Sequence, residues 1–176
     1  MEIKMSDDMR IVISHSPISL NANKRYKQDI SMENVSGKPK GLWYGFGSSW
    51  ANADASGISK VKDHYVYAVD IPSGKNILRL SNEENIIKFA ETFGFNMMEL
   101  MGNKFKARLK SLGNSPMFIR IRWDIIAKKY DGIEFNPYLQ NQRFNFMWYY
   151  GLDASSGCIW NLNGVSLKPI NEPKHD

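Results

Sequence analysis

At 176 residues and 43% hydrophobic side chains, the chain is long enough to bury one core and too short for two ordinary domains, so a single domain over residues 1–176 is expected. Lysines and arginines outnumber acids by 23 to 18, and the net charge of +5 favours an anionic partner such as nucleic acid or a phosphate-bearing ligand. The single cysteine, Cys158, excludes an intramolecular disulfide and cannot by itself build a cysteine zinc site, which fits a reducing, cytoplasmic setting. Met1 to Arg10 has too few apolar residues for a signal-peptide core, and no later run has the length of a membrane span.

In chain order, Ile11 to Ser16 is β-branched and apolar and predicts a first strand, stopped by Pro17, with His15 at its C-terminal end. Residues 21–40 are polar, contain Gly37 and Pro39, and read as a long loop of the kind that often carries function. Gly41 to Tyr44 predicts a short strand; after Gly45, Gly47 and Ser48-Ser49 a helix is expected to start, with Trp50 in its first turn. Residues 54–62 read as a polar surface loop. Between His64 and Asp70 both alternating faces are largely apolar, which predicts a strand covered on both sides.

Ile77 to Leu80 predicts another strand, and Ser81 with Glu84 three residues on reads as a capping box opening a helix striped by Ile86, Ile87, Ala90 and Phe93 and ended by Gly94. A second helix is expected from Met97 to Leu112, its outer face carrying Lys104, Lys106, Arg108 and Lys110, the densest basic cluster in the chain. That cluster serves a phosphate backbone or is simply a solvated face. Asp124 is placed to cap a short helix, Ile125 to Lys129, that delivers the chain to a strand from Gly132 to Phe135. Phe144 to Tyr150 and Cys158 to Trp160 read as a hairpin-like pair around a long turn, and the tail from Lys168 as loose. The sum is a mixed α+β fold in which strands dominate.

Glu134 stands out within Tyr130-Asp131-Gly132-Ile133-Glu134-Phe135. Between Ile133 and Phe135 it either faces solvent from a half-exposed strand or is held in a polar cleft, because a buried unpaired carboxylate costs several kcal/mol. The chain has no Gly-x-x-x-x-Gly-Lys-Ser/Thr phosphate loop, no Gly-x-Ser-x-Gly elbow and no pair of histidines at helical spacing. His15, His64 and His175 are scattered, so no metal site is expected.

Three separated pieces remain: His15-Ser16 at a strand end, Lys38-Pro39-Lys40-Gly41-Leu42-Trp43 with Trp50 shortly after, and Glu134 on a late strand. In this order they resemble the ADP-ribosyltransferase superfamily over about residues 11–160. The resemblance implies two apposed, mostly antiparallel sheets with flanking helices and an NAD cleft between them. It also implies that His15 holds the ribose beside nicotinamide, that Ser16 takes the place of a usual glycine whose backbone binds the carboxamide, and that Gly41, Leu42, Trp43 and Tyr44 line the pocket. Trp50 would then stack on nicotinamide and Glu134 would be the catalytic carboxylate. Lys38 to Trp43, Tyr130 to Glu134 and Ser156-Gly157-Cys158-Ile159-Trp160-Asn161 further resemble a small phage and bacterial group of this fold, some of whose relatives are toxins of phage-defence toxin–antitoxin systems. An antitoxin protein is therefore an expected partner alongside the acceptor.

The chemistry agrees with the resemblance, because cleavage of the nicotinamide–ribose bond passes through an oxocarbenium-like state that a nearby carboxylate stabilises and aromatic walls keep dry. Arginine-modifying relatives carry a second glutamate two positions before the catalytic one; here that position is Gly132, which disfavours an arginine acceptor. The positive charge, with Lys104, Lys106, Lys110, Arg120 and Arg122 as phosphate contacts, favours nucleic acid, RNA or DNA. Competing readings are a protein-directed transferase, an NAD glycohydrolase, and a non-enzymatic nucleic-acid-binding module that uses the same basic residues with exposed aromatics.

Overall fold

The computed structural model of the chain describes residues 5–30, 37–53, 61–100 and 118–173. Nine strands carry the fold among these residues: β1 (Arg10–Ser14), β2 (Leu42–Phe46), β3 (Tyr65–Asp70), β4 (Ile77–Leu80), β5 (Gly94–Asn96), β6 (Ile119–Ile121), β7 (Gly132–Phe135), β8 (Ser156–Ile159) and β9 (Ser166–Asn171). Helix α1 (Glu83–Phe93) follows β4, α2 (Trp123–Ile126) precedes β7, and α3 (Met147–Tyr150) precedes β8. Seven strands form one mixed sheet in the order β4-β7-β8-β2-β1-β3-β9, and β5 pairs with β6 in a separate two-stranded ladder. The strands expected in two apposed sheets thus lie mostly in one. Within it β4 and β7 run parallel, and every other neighbouring pair is antiparallel.

A core cluster lies against each face of this sheet, and β3 accordingly is apolar on alternate and intervening positions alike. On one face Leu80, Ile133, Phe135, Cys158 and Trp160 pack with Ile86, Phe89 and Ala90 of α1, with Trp123 and Ile126 of α2, and with Trp148 and Tyr149 of α3. On the other Val12, Tyr44, Phe46, Val69 and Ile159 pack with Leu162 and Val165. The expectation that β3 is covered on both sides holds: Tyr65, Val66, Tyr67 and Val69 are all buried.

Several local expectations are corrected. The cap of α1 is Asn82 rather than Ser81, its side chain accepting from the Asn85 N–H at 2.9 Å; Gly94 ends the helix as expected, its N–H bonded to the Ala90 carbonyl. Asp124 does not cap the short helix but sits in its first turn, bound to Arg122. Residues 47–52 form successive turns instead of a helix, and Phe144 to Tyr150 contains α3 instead of a strand. The reason in the second case is that Trp148 and Tyr149, adjacent in sequence, are both buried in one cluster, which the alternation of a strand forbids. Of the expected helix from Met97 to Leu112, Met97–Leu100 is a 3-10 turn and the rest lies outside the described residues.

The tail from Lys168 is not loose up to Asn171. It belongs to β9, antiparallel to β3, with the Lys168 ammonium 2.9 Å from Asp70 and Leu167 against the second core cluster. Pro169 is tolerated because β9 is an edge strand, where a missing N–H costs no ladder bond. No helix among the described residues is long and apolar enough to cross a membrane.

Candidate functional site

Glu134 occupies the middle of β7 and is 4% exposed. The register aligns it with Arg79 of β4 on one side and with Gly157 of β8 on the other, and Gly157 in turn faces Tyr44 of β2. Register partners share a face, so the Glu134, Arg79 and Tyr44 side chains lie on the face opposite the helices. A Cβ at Gly157 would sit 2.5 Å from the Tyr44 ring, so the bare glycine lets that ring cross β8. Its hydroxyl then donates to Glu134 Oε1 at 2.9 Å. Arg10, at the head of β1, donates through Nε to the same oxygen at 2.7 Å, and Arg79 Nε donates to Oε2 at 3.1 Å.

Both carboxylate oxygens are therefore paired, which offsets the several kcal/mol of burying the charge. Burial, followed by the Glu134 charge, pushes the Tyr44 hydroxyl well above its ordinary range and keeps it a donor. Burial works against the charge of Arg10, but Glu134 outweighs it and raises the guanidinium's pKa. Neither Arg10 nor Arg79 was singled out from sequence. Each stands on a strand next to apolar residues, and only strand order reveals that both face Glu134.

The other face of β2 carries a separate pocket of about 350 Å³, lined by Ile13, Lys38, Trp43, Trp50, Ala53, Gly151, Leu152, Asp153 and Ser156. Trp43 points there because it is one residue from Tyr44 and in register with Cys158, which belongs to the helix-side core. Its indole N–H donates to the Pro39 carbonyl at 3.2 Å, and the Lys38 ammonium lies 5.6 Å from its ring, so the Lys38-Pro39-Lys40-Gly41 segment folds back on the strand. Trp50 lies on Gly45, where a Cβ would meet the indole at 2.8 Å. Ser49 holds that turn in place: its hydroxyl donates to the Ser155 carbonyl at 2.7 Å and accepts the Phe46 N–H at 3.0 Å.

The carboxylate in this pocket is Asp153, which sequence reasoning missed because it lies in a stretch that reads only as a turn. Its Oδ1 accepts from Arg143 at 3.1 Å. Trp43 and Trp50 are thus brought together as expected, but Glu134 and Tyr44 face away from them, and one cleft holding all four is not formed. His15 and Ser16 follow the end of β1 and are exposed; neither lines the pocket, and the His15 ring packs 4.4 Å from that of His64. Gly41 and Leu42 do not line it either. A Cβ at Gly41 would meet the Ile159 carbonyl at 2.5 Å, and Leu42 packs against the second core cluster.

Of the expected phosphate contacts, Arg120 is on β6, and Arg122 is paired with Asp124 by two hydrogen bonds of 2.9 and 3.0 Å, which lower the Asp124 pKa and raise that of Arg122. Lys104, Lys106, Arg108 and Lys110 lie outside the described residues. Among the described residues no three histidine, cysteine, aspartate or glutamate side chains are grouped so as to hold a metal ion. Comparison with protein-family models, with curated proteins and with solved structures finds no match for this chain.

Proposed function

We propose that the chain is an ADP-ribosyltransferase that takes NAD as donor and a nucleic acid as acceptor, with the donor in the Trp43 and Trp50 pocket. The observation that supports this reading is the meeting, in one pocket, of two indole rings, the Lys38 cation and the Asp153 carboxylate. The indoles offer stacking walls for a nicotinamide ring and exclude water, and Lys38 offers a positive charge to the pyrophosphate. In the reaction the bond between the nicotinamide nitrogen and ribose C1′ breaks, and its electron pair leaves with the ring. A bond from C1′ to an acceptor oxygen or nitrogen forms, and the acceptor's proton passes to a carboxylate or to solvent. Asp153 is the carboxylate placed to stabilise the developing positive charge, so it replaces Glu134 in the catalytic role. Glu134 becomes a positioning residue. It anchors Tyr44, and Tyr44 belongs to the strand whose other side carries Trp43.

The test is incubation with NAD labelled in its adenylate, offering RNA, DNA and protein separately, while nicotinamide release and label transfer are followed. The expected result is nicotinamide release with label on nucleic acid. Asp153→Asn should lower turnover by about 10²- to 10³-fold with NAD affinity kept within a few-fold, the pattern of a lost transition-state charge. Glu134→Gln, assayed at a temperature where it is folded, should retain most of the turnover. Loss of chemistry in folded Glu134→Gln with activity intact in Asp153→Asn would return the catalytic role to Glu134. Release without transfer makes the chain an NAD glycohydrolase, label on protein makes it a protein-directed transferase, and no release at all refutes the proposal.

A further inference from the structure

Next to the pocket lies an aromatic platform. Phe144 is 68% exposed and Tyr150 43%, and their rings are 5.9 Å apart. The Arg143 guanidinium sits 5.0 Å from the Tyr150 ring centroid and donates to Asp153 at 3.1 Å. A single side chain therefore connects the exposed rings to the carboxylate of the pocket, and Gly151, directly after Tyr150, is part of the pocket wall. Burying such rings is the ordinary outcome for phenylalanine, and leaving two of them in contact with water beside a cation needs a reason.

We infer that this platform is the docking site of a single-stranded nucleic acid, one base stacking on the Phe144 and Tyr150 pair while Arg143 faces the backbone, so that the adjoining nucleotide reaches the pocket. The inference rests on the proposed transferase reading for its place beside the chemistry and supplies the acceptor's binding surface. Three features favour nucleic acid over protein. Stacking on a base needs only one or two ring faces, whereas a stable protein interface covers about 800 Å² per partner around an apolar centre. Among the described residues the large exposed apolar side chains are Ile87, Phe144, Met147 and Tyr150, too few for such a centre. The chain's net charge of +5 suits a polyanion. A duplex is disfavoured because its bases are already stacked on one another and cannot lie on the rings.

Binding of fluorescent single-stranded RNA and DNA oligonucleotides of mixed sequence is measured by anisotropy without NAD, against the same sequences as duplexes. Single strands should bind more tightly than duplexes, and Phe144→Ala with Tyr150→Ala should weaken single-strand binding by roughly 5- to 150-fold for one lost base stack. The salt dependence should be nearly unchanged, because no cation is removed. Both side chains are exposed, so the double variant should fold; far-UV circular dichroism and an unchanged melting temperature check this. Nicotinamide release without nucleic acid should persist in the variant. Equal single-strand affinity of variant and parent, or preference for duplex, overturns the inference. Retained binding in a chain that never cleaves NAD leaves this surface standing and refutes only the transferase reading.

Discussion

Gly157→Ala offers the most direct test of the arrangement around Glu134. The added methyl would lie 2.5 Å from two ring carbons of Tyr44 and 2.6 Å from its hydroxyl, whereas carbon atoms pack at about 3.5–4.0 Å, so the ring must move by about 1 Å. Tyr44 is fully buried, with the Phe46 ring at 5.9 Å and the Arg10 guanidinium at 6.0 Å, so the displaced ring must push on its neighbours. Overpacking of this kind costs about 1–3 kcal/mol. Displacing the hydroxyl also weakens a hydrogen bond to a charged acceptor, about 1.5–3 kcal/mol, although Arg10 and Arg79 still hold the carboxylate. A combined loss of about 2.5–6 kcal/mol is expected, a large share of the 5–15 kcal/mol typical of a whole domain. At about 2–4 °C per kcal/mol for a chain of this size, Tm should fall by about 5–24 °C. Urea titration followed by tryptophan fluorescence measures the loss directly, and Gly74→Ala is the control, since nothing lies within 4 Å of a Cβ there. A change below about 0.5 kcal/mol, within the range of ordinary surface substitutions, would refute the crossing of β8 by the Tyr44 ring.

Tyr149 supports a pH prediction: burial raises its hydroxyl from 10.0 to about 12. An acid with a raised folded pKa contributes stability that is fully present below the unfolded value and lost as pH rises through the folded one. The chain should therefore lose stability between about pH 10 and 12. Denaturation at stepped alkaline pH, with tyrosinate absorbance as the second signal, checks this; a flat profile across that window would count against it. Asn82→Ala should cost about 0.5–2 kcal/mol by removing the cap of α1, while Ser81→Ala should cost less than about 0.5 kcal/mol. Equal effects in urea titration would restore Ser81 as the cap.

Where local rules apply, the sequence alone is informative. Alternation marked β3 and β7, and β-branched residues marked β1. A glycine after an apolar stripe marked the end of α1, and the prominence of Glu134, Trp43 and Trp50 was visible from their types and neighbours. Such features depend on residues a few positions apart, where backbone geometry leaves few choices. What faces what depends instead on strand order and register. Glu134 meets Arg79 across 55 residues and Arg10 across 124, and no local pattern encodes either pairing. Because side chains alternate across a strand, the same register that joins Glu134 to Tyr44 sends Trp43 to the opposite face, where it lines a pocket with Asp153 instead. The six-residue strand β9, largely polar and containing Pro169, is a strand only because the edge of β3 is there to pair with it. Sequence supplied the chemical groups, and the sheet decided which of them share a site.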